Sequence, residues 1–119
     1  MPHLYVEYSA NLPGLPEQQM LTELVSAVCS HPSIVDEFDV KGRIAATQQY
    51  VIGTGAGPRG FIHADLRLLS GRTPEAKKEL SDLIAEVLRR LTPHPMGMLV
   101  QVSVEITDMD RASYHKSKL

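Results

Sequence analysis

The stretch Pro16-Glu-Gln-Gln-Met-Leu-Thr-Glu-Leu-Val-Ser-Ala-Val28 decides the fold, because the chain repeats its pattern in Pro74-Glu-Ala-Lys-Lys-Glu-Leu-Ser-Asp-Leu-Ile-Ala-Glu-Val87. In the first copy Leu21, Leu24, Val25 and Val28 recur at i, i+3, i+4 and i+7, which lines one face of a helix that ends near His31-Pro32. In the second, Leu80, Leu83, Ile84 and Val87 keep the same spacing at one constant offset, and the two Pro-Glu starts are separated by almost the same distance. Thr73 is a natural N-cap, with Pro74 at the first helical position, where its missing N–H costs nothing.

Strand patterns flank both helices. From Pro2 to Tyr8 the chain alternates, with Leu4, Val6 and Tyr8 on one side and His3, Tyr5 and Glu7 on the other. Val40 to Ile52 reads as a second, less regular strand, Phe61 to Leu69 as a third, and Met98 to Ile106 as a fourth. The spacing therefore predicts an α+β fold: a duplicated β-α-β unit whose two helices cover one face of a four-stranded mixed sheet. Residues 1–119 form one domain on this reading, with pseudo-repeats over about 2–52 and 60–107 and a tail over 108–119. The strands carry enough apolar residues to predict an apolar second face, which another copy of the chain should cover.

Composition narrows the function. Twelve basic and 14 acidic side chains give a formal charge of −2 with no basic block, so neither nucleic acid nor a membrane surface is an expected partner. The single cysteine, Cys29, can form neither an internal disulfide nor a multi-cysteine zinc site, and it borders a helical apolar face, which suits a buried thiol. The five histidines lack metal-ligand spacing, so no metal is expected. The N-terminus has neither a basic start nor a long apolar run, which predicts a cytoplasmic protein, and the terminal Ser117-Lys118-Leu119 is too short a match to a peroxisomal address to change that. Gly55-Ala-Gly57-Pro-Arg-Gly60 matches G-x-G-x-x-G formally, but it leads into a strand and not a helix, so it reads as a loop.

Pro2 is the residue that a merely structural chain does not explain. Methionine is generally removed when a small residue follows it, and Pro2 would then carry a free secondary amine at the head of a strand. An α-amino group titrates near ~8, and burial or nearby cations bring it towards neutrality, where it can act as a base. The ring also fixes the direction of the lone pair.

Three segments carry a resemblance: Pro2-His-Leu-Tyr-Val-Glu-Tyr-Ser-Ala-Asn11, Gly60-Phe-Ile-His-Ala-Asp-Leu-Arg-Leu68, and Gly71-Arg-Thr-Pro-Glu75. Together they resemble the 5-carboxymethyl-2-hydroxymuconate isomerase family of the tautomerase superfamily along essentially the whole chain, most specifically in the P-H-x-x-x-E opening and the H-x(7)-G-R element. The resemblance implies a cofactor-independent isomerase of aromatic-compound catabolism (homoprotocatechuate degradation) and a homotrimer whose sheets face one another around a threefold axis. It implies that Pro2 moves a proton from the hydroxyl of a dienol bearing three carboxylates to a distant carbon, giving the conjugated ketone. Arg72 falls on the family's Gly-Arg arginine, with an implied role in catalysis and substrate binding. The second cation of the family falls on Lys41, a lysine where an arginine is expected, or on the neighbouring Arg43. That departure leaves open a related proline-based tautomerase, hydratase or dehalogenase acting on another small carboxylate, and beyond these a non-catalytic oligomeric binding protein.

Overall fold

The computed structural model describes residues 1–119. The elements run β1 (His3–Ser9), α1 (Glu17–Cys29), a 3-10 turn (Glu37–Asp39), β2 (Lys41–Thr47), β3 (Arg59–Leu69), α2 (Pro74–Leu91) and β4 (Leu99–Met109). The sheet order is β2-β1-β3-β4. Each half joins its two strands in parallel through its helix, and β1 meets β3 antiparallel at the centre, so the sheet is mixed as the duplicated unit predicts.

Alternation fills the side of the sheet that faces the helices. Leu4, Val6 and Tyr8 of β1 and Ile62, Ala64, Leu66 and Leu68 of β3 form one buried cluster with Leu24 and Val28 of α1 and Leu80, Ile84, Val87 and Leu88 of α2. Thr73 caps α2 as expected, its hydroxyl accepting from the Ala76 N–H at 3.1 Å. Met20 is fully buried, whereas Leu21 and Val25 are half-buried at the edge of α1. These two lie over Gly42 of β2, where a Cβ would sit 2.9 Å from Val25 Cγ2 and 3.4 Å from Leu21 Cδ2. Gly42 thus sets how closely α1 approaches the sheet. Gly42→Ala should cost about 1–3 kcal/mol by overpacking, read as a lower midpoint in urea unfolding.

Two strand ends differ from the sequence reading. β2 stops at Thr47, not Ile52, because β1 stops at Ser9; the Ala10 N–H to Thr47 carbonyl bond (3.0 Å) is the last that β1 can offer. β4 continues past Ile106 to Met109, because β3 supplies partners as far as Leu69. The glycine run lies in the loop between β2 and β3.

The predicted apolar second face is absent. The period of two sends most apolar side chains of β1 and β3 to the helices and leaves mainly polar ones opposite, with Tyr5, Phe61 and Leu69 among them. There the Tyr5 ring lies between the Arg43 and Arg67 guanidinium groups, at 4.2 and 4.6 Å from its centroid. His63 bridges Ser103 (2.7 Å) and Glu105 (2.9 Å), and Asp65 pairs with Arg67 (2.9 Å) and accepts from Thr107 (2.7 Å). Burial of an apolar face is therefore no argument for association of this chain.

Tyr8 closes the core near the start of α1. Its hydroxyl donates to Glu17 at 2.7 Å, and burial together with that carboxylate pushes its pKa up to about 12. The folded state holds the phenol proton where the unfolded chain, with a pKa of about 10, has released it. Stability from this group is present below about pH 10 and is lost as pH rises towards 12. In urea titrations the fall in stability over that window should be shallower in Tyr8→Phe by on the order of 2 kcal/mol.

Candidate active site

The antiparallel pairing of β1 with β3 places the head of β1 beside the end of β3. Pro2, fully buried, precedes β1, and its carbonyl accepts from the Lys41 N–H at 3.1 Å, which ties it to β2. After β3, Gly71 takes φ 123°, a conformation that side chains rarely tolerate, and turns the chain towards α2. Arg72 follows directly. Pro2 and Arg72 line one cavity of about 110 Å³, with Ile34 and Val35 as apolar walls, Asp36 and Asp39 as carboxylates, and Met1 at its edge.

Arg72 is held by neutral acceptors. Its Nε donates to Ser33 Oγ (3.0 Å), Nη2 to the Ser33 carbonyl (3.1 Å), and Nη1 more weakly to the Leu69 carbonyl (3.4 Å). It makes no ion pair, and burial first, then Arg111, lowers its pKa against an opposing pull from Asp108. A guanidinium half withdrawn from water without a counter-ion is arranged to receive an anion. Ser33 is itself fixed, since buried His31 accepts the Ser33 N–H at Nδ1 (3.1 Å), lies 2.9 Å from Ser33 Oγ, and contacts Glu79 through Nε2 at 2.9 Å. With Nδ1 an acceptor, the ring proton sits on Nε2 and points at Glu79. Ser33→Ala removes the acceptor of Arg72 Nε; steady-state kinetics should show KM rising about three- to tenfold, as for loss of one charge-assisted hydrogen bond.

The other two candidates part company. Lys41 Nζ donates to the Asp39 carbonyl at 3.0 Å, at the Pro2 end of the sheet. Neither lines the cavity, and Arg43 is engaged elsewhere: its Nη2 donates to His3 Nδ1 at 3.0 Å and its guanidinium stacks on Tyr5. Burial, then Arg43 and Lys41, lower the His3 pKa, which keeps that ring neutral and able to accept. Of the cavity residues, Ser33, Ile34, Val35, Asp36 and Asp39 gave no sequence signal, because the segment between α1 and β2 has no period to read.

The electrostatics favour a neutral amine. Burial lowers the pKa of the Met1 ammonium beside Pro2; Asp39 opposes this, and Arg72, Lys116 and Lys41 reinforce it. Elsewhere, burial first and then Glu37 push the Cys29 thiol up, away from a reactive thiolate. No cluster of three His, Cys, Asp or Glu side chains could hold a metal. The two grooves of about 620 Å³ by the glycine loop and 510 Å³ between α2 and β4 contain none of the four candidate residues. No helix is long and apolar enough to cross a membrane.

A mixed sheet of this order, with two helices on one face and a proline-headed strand at a cavity that holds a guanidinium, fits a small isomerase of the tautomerase type. The chain belongs to the 5-carboxymethyl-2-hydroxymuconate isomerase family, whose model matches residues 2–119. It is similar to a 5-carboxymethyl-2-hydroxymuconate isomerase from Deinococcus radiodurans R1, with 26% identity, 99% of this chain and 90% of that chain covered, and a TM-score of 0.87. A 5-carboxymethyl-2-hydroxymuconate delta-isomerase shares the fold at 22% identity and TM-score 0.80, covering 100% of this chain and 88% of that one. A fused 4-OT, described as an asymmetric trimer, shares it at 16% identity and TM-score 0.73, covering 96% and 91%. No curated protein matches the chain by sequence.

Proposed function

We propose that the protein is a cofactor-independent isomerase that converts a carboxylated 2-hydroxymuconate-type dienol to its conjugated ketone, with Pro2 as the base once Met1 is removed. The observation that carries this reading is the shared cavity, in which a buried proline nitrogen and an unpaired guanidinium face the same small space. As a free amine Pro2 takes the dienol hydroxyl proton and returns it to the distal carbon, so proton and charge balance without a redox partner. Arg72 binds a carboxylate and stabilises the dienolate oxygen. Lys41 supplies the second cation, which its place at the Pro2 end supports, while Arg43 is engaged by His3 and Tyr5. Lysine keeps the charge but lacks the two-pronged fork, so this arm is less selective for carboxylate geometry.

Met1 is a wall of the cavity, so its removal both frees the nitrogen and enlarges the space. Ketonisation followed by ultraviolet absorbance, with intact mass measured on the same preparation, tests the reading. Activity should track the fraction of chains lacking Met1. Turnover by a preparation that retains Met1 throughout would sink it. Asp36 and Asp39 in the cavity wall favour one second reading, in which a carboxylate directs water at an activated double bond of another small acid. Hydration products from an unsaturated acid, without ketonisation of dienols, distinguish it. We further propose a homotrimer, as in the fused 4-OT trimer, joined through surfaces other than an apolar sheet face; sedimentation as a stable monomer rules this out.

A further inference from the structure

The segment after β4 has no regular secondary structure beyond a turn at 111–113, yet it is fastened at four points. Arg111 Nε donates to the Ser70 carbonyl, the Tyr114 hydroxyl meets His3 Nε2 at 2.8 Å, Lys116 Nζ pairs with Asp39 Oδ1, and Lys118 Nζ stands 5.9 Å from the Phe38 ring centroid. These anchors belong to the turn before Arg72, the start of β1 and the 3-10 turn, the segments that surround Pro2. The tail is thus a strap across the Pro2 end of the sheet.

We propose that the strap delivers Lys116 to the Pro2 site as a carboxylate-binding residue, and that Lys116 selects substrates carrying more than one carboxylate. The pair it makes with Asp39 is not an ordinary surface contact, since the two side chains are only 27% and 15% exposed. Lys41 reaches the same residue through the Asp39 backbone carbonyl, so two ammonium groups converge on one aspartate. Asp36, the other carboxylate of the cavity, accepts from the Phe38 N–H at 3.2 Å. Arg72 lines the cavity and Lys41 and Lys116 contact its Asp39 from outside the lining, so these three cations exceed Asp36 and Asp39 by one positive charge around a site where Arg72 makes no ion pair. An ammonium has three N–H donors, and Asp39 Oδ1 uses one. Asp39, which lines the cavity, acts as the positioning residue, holding the ammonium beside the cavity wall with donors to spare.

The inference rests on the isomerase reading for its substrate class, and two measurements separate the fates of the two. With a tricarboxylate dienol, Lys116→Met should raise KM about tenfold and leave kcat within about twofold, and Lys116→Arg should restore most of the loss. With the monocarboxylate 2-hydroxypenta-2,4-dienoate the same variant should change KM less than about twofold. Tyr114→Phe removes one of the four fastenings while the Asp39 pair still holds Lys116, and should leave KM for both substrates near the wild-type value. Equal KM shifts for the two substrates in Lys116→Met, or an equal rise for both in Tyr114→Phe, would reduce Lys116 to a structural tie and overturn the proposal. Calorimetric titration with propane-1,2,3-tricarboxylate needs no turnover: Lys116→Met should bind it about tenfold more weakly than wild type. Equal affinity, or no binding by wild type, overturns the proposal whatever the catalytic result. Absence of dienol turnover by wild type overturns only the isomerase reading.

Discussion

Retention of Met1 should abolish ketonisation, and Pro2→Ala should lower kcat about 10²-fold, as expected when a positioned general base is impaired. The two changes damage the nitrogen differently. With Met1 in place the Pro2 nitrogen is an amide with no basic lone pair, so the whole contribution of the base, about 10²- to 10⁴-fold, is lost. After processing, Pro2→Ala still leaves a terminal amine in the same place, but a primary one free to rotate, whereas the proline ring holds its lone pair in one direction. KM should change little in the alanine variant, because the groups that bind carboxylates remain. Single-turnover ketonisation on samples verified by intact mass separates the cases; equal rates for wild type and Pro2→Ala would remove Pro2 from the mechanism.

The pH profile gives an independent reading. The groups around the terminal nitrogen are Asp39, Arg72, Lys116 and Lys41, with Asp36 in the cavity wall. Burial and the three cations lower the pKa of the Met1 ammonium against Asp39; once Met1 is removed the Pro2 amine stands among the same groups, so the acid limb of kcat/KM should lie below the usual α-amino value of about 8. Activity is lost as pH falls through that pKa, because the amine becomes protonated and cannot accept. Asp39→Asn removes the carboxylate that favours the charged form and should move the limb to lower pH. An upward move, or none, would show that this limb does not report the terminal amine.

The parts of the molecule set by local period were legible in the sequence, and those set by loops meeting in space were not. Alternation in Pro2 to Tyr8 and the helical spacing of Leu80, Leu83, Ile84 and Val87 reflect which side chains reach the core, so they foretold strands, helices and their duplication. The expectation of an apolar second face failed because it counted apolar residues without assigning them to sides; alternation had already placed most of them under the helices. Pro2 and Arg72 could be named because each sits in a distinctive local string. Ser33 and Asp39 belong to an irregular connection and reach Arg72 and Lys116 only through folding, across 39 and 77 positions. Lys41 and Arg43 could not be told apart in the sequence, because residues two apart on a strand share a face and differ only in what stands beside them. Arg43 has His3 and Tyr5 as neighbours, and Lys41 has Asp39.

Arg72→Ala should separate activity from stability more sharply than any other substitution. Most half-buried arginines hold a carboxylate, and removing them leaves an unpaired charge behind. Arg72 holds only Ser33 and the Leu69 carbonyl, which water can satisfy at an opened cavity, and its removal also ends the desolvation of a lone cation. These effects oppose one another, so the unfolding free energy from urea titration should change by less than about 1 kcal/mol. On the proposed mechanism catalysis loses both an anchor for a carboxylate and a donor to the dienolate oxygen, so kcat/KM should fall about 10²- to 10³-fold. Arg72→Lys keeps the charge but not the fork and cannot reproduce the two bonds to Ser33, so it should recover only a minor part. Activity and stability falling together would instead make Arg72 a brace between the α1–β2 connection and the end of β3, and would return the anion-binding role to Lys41.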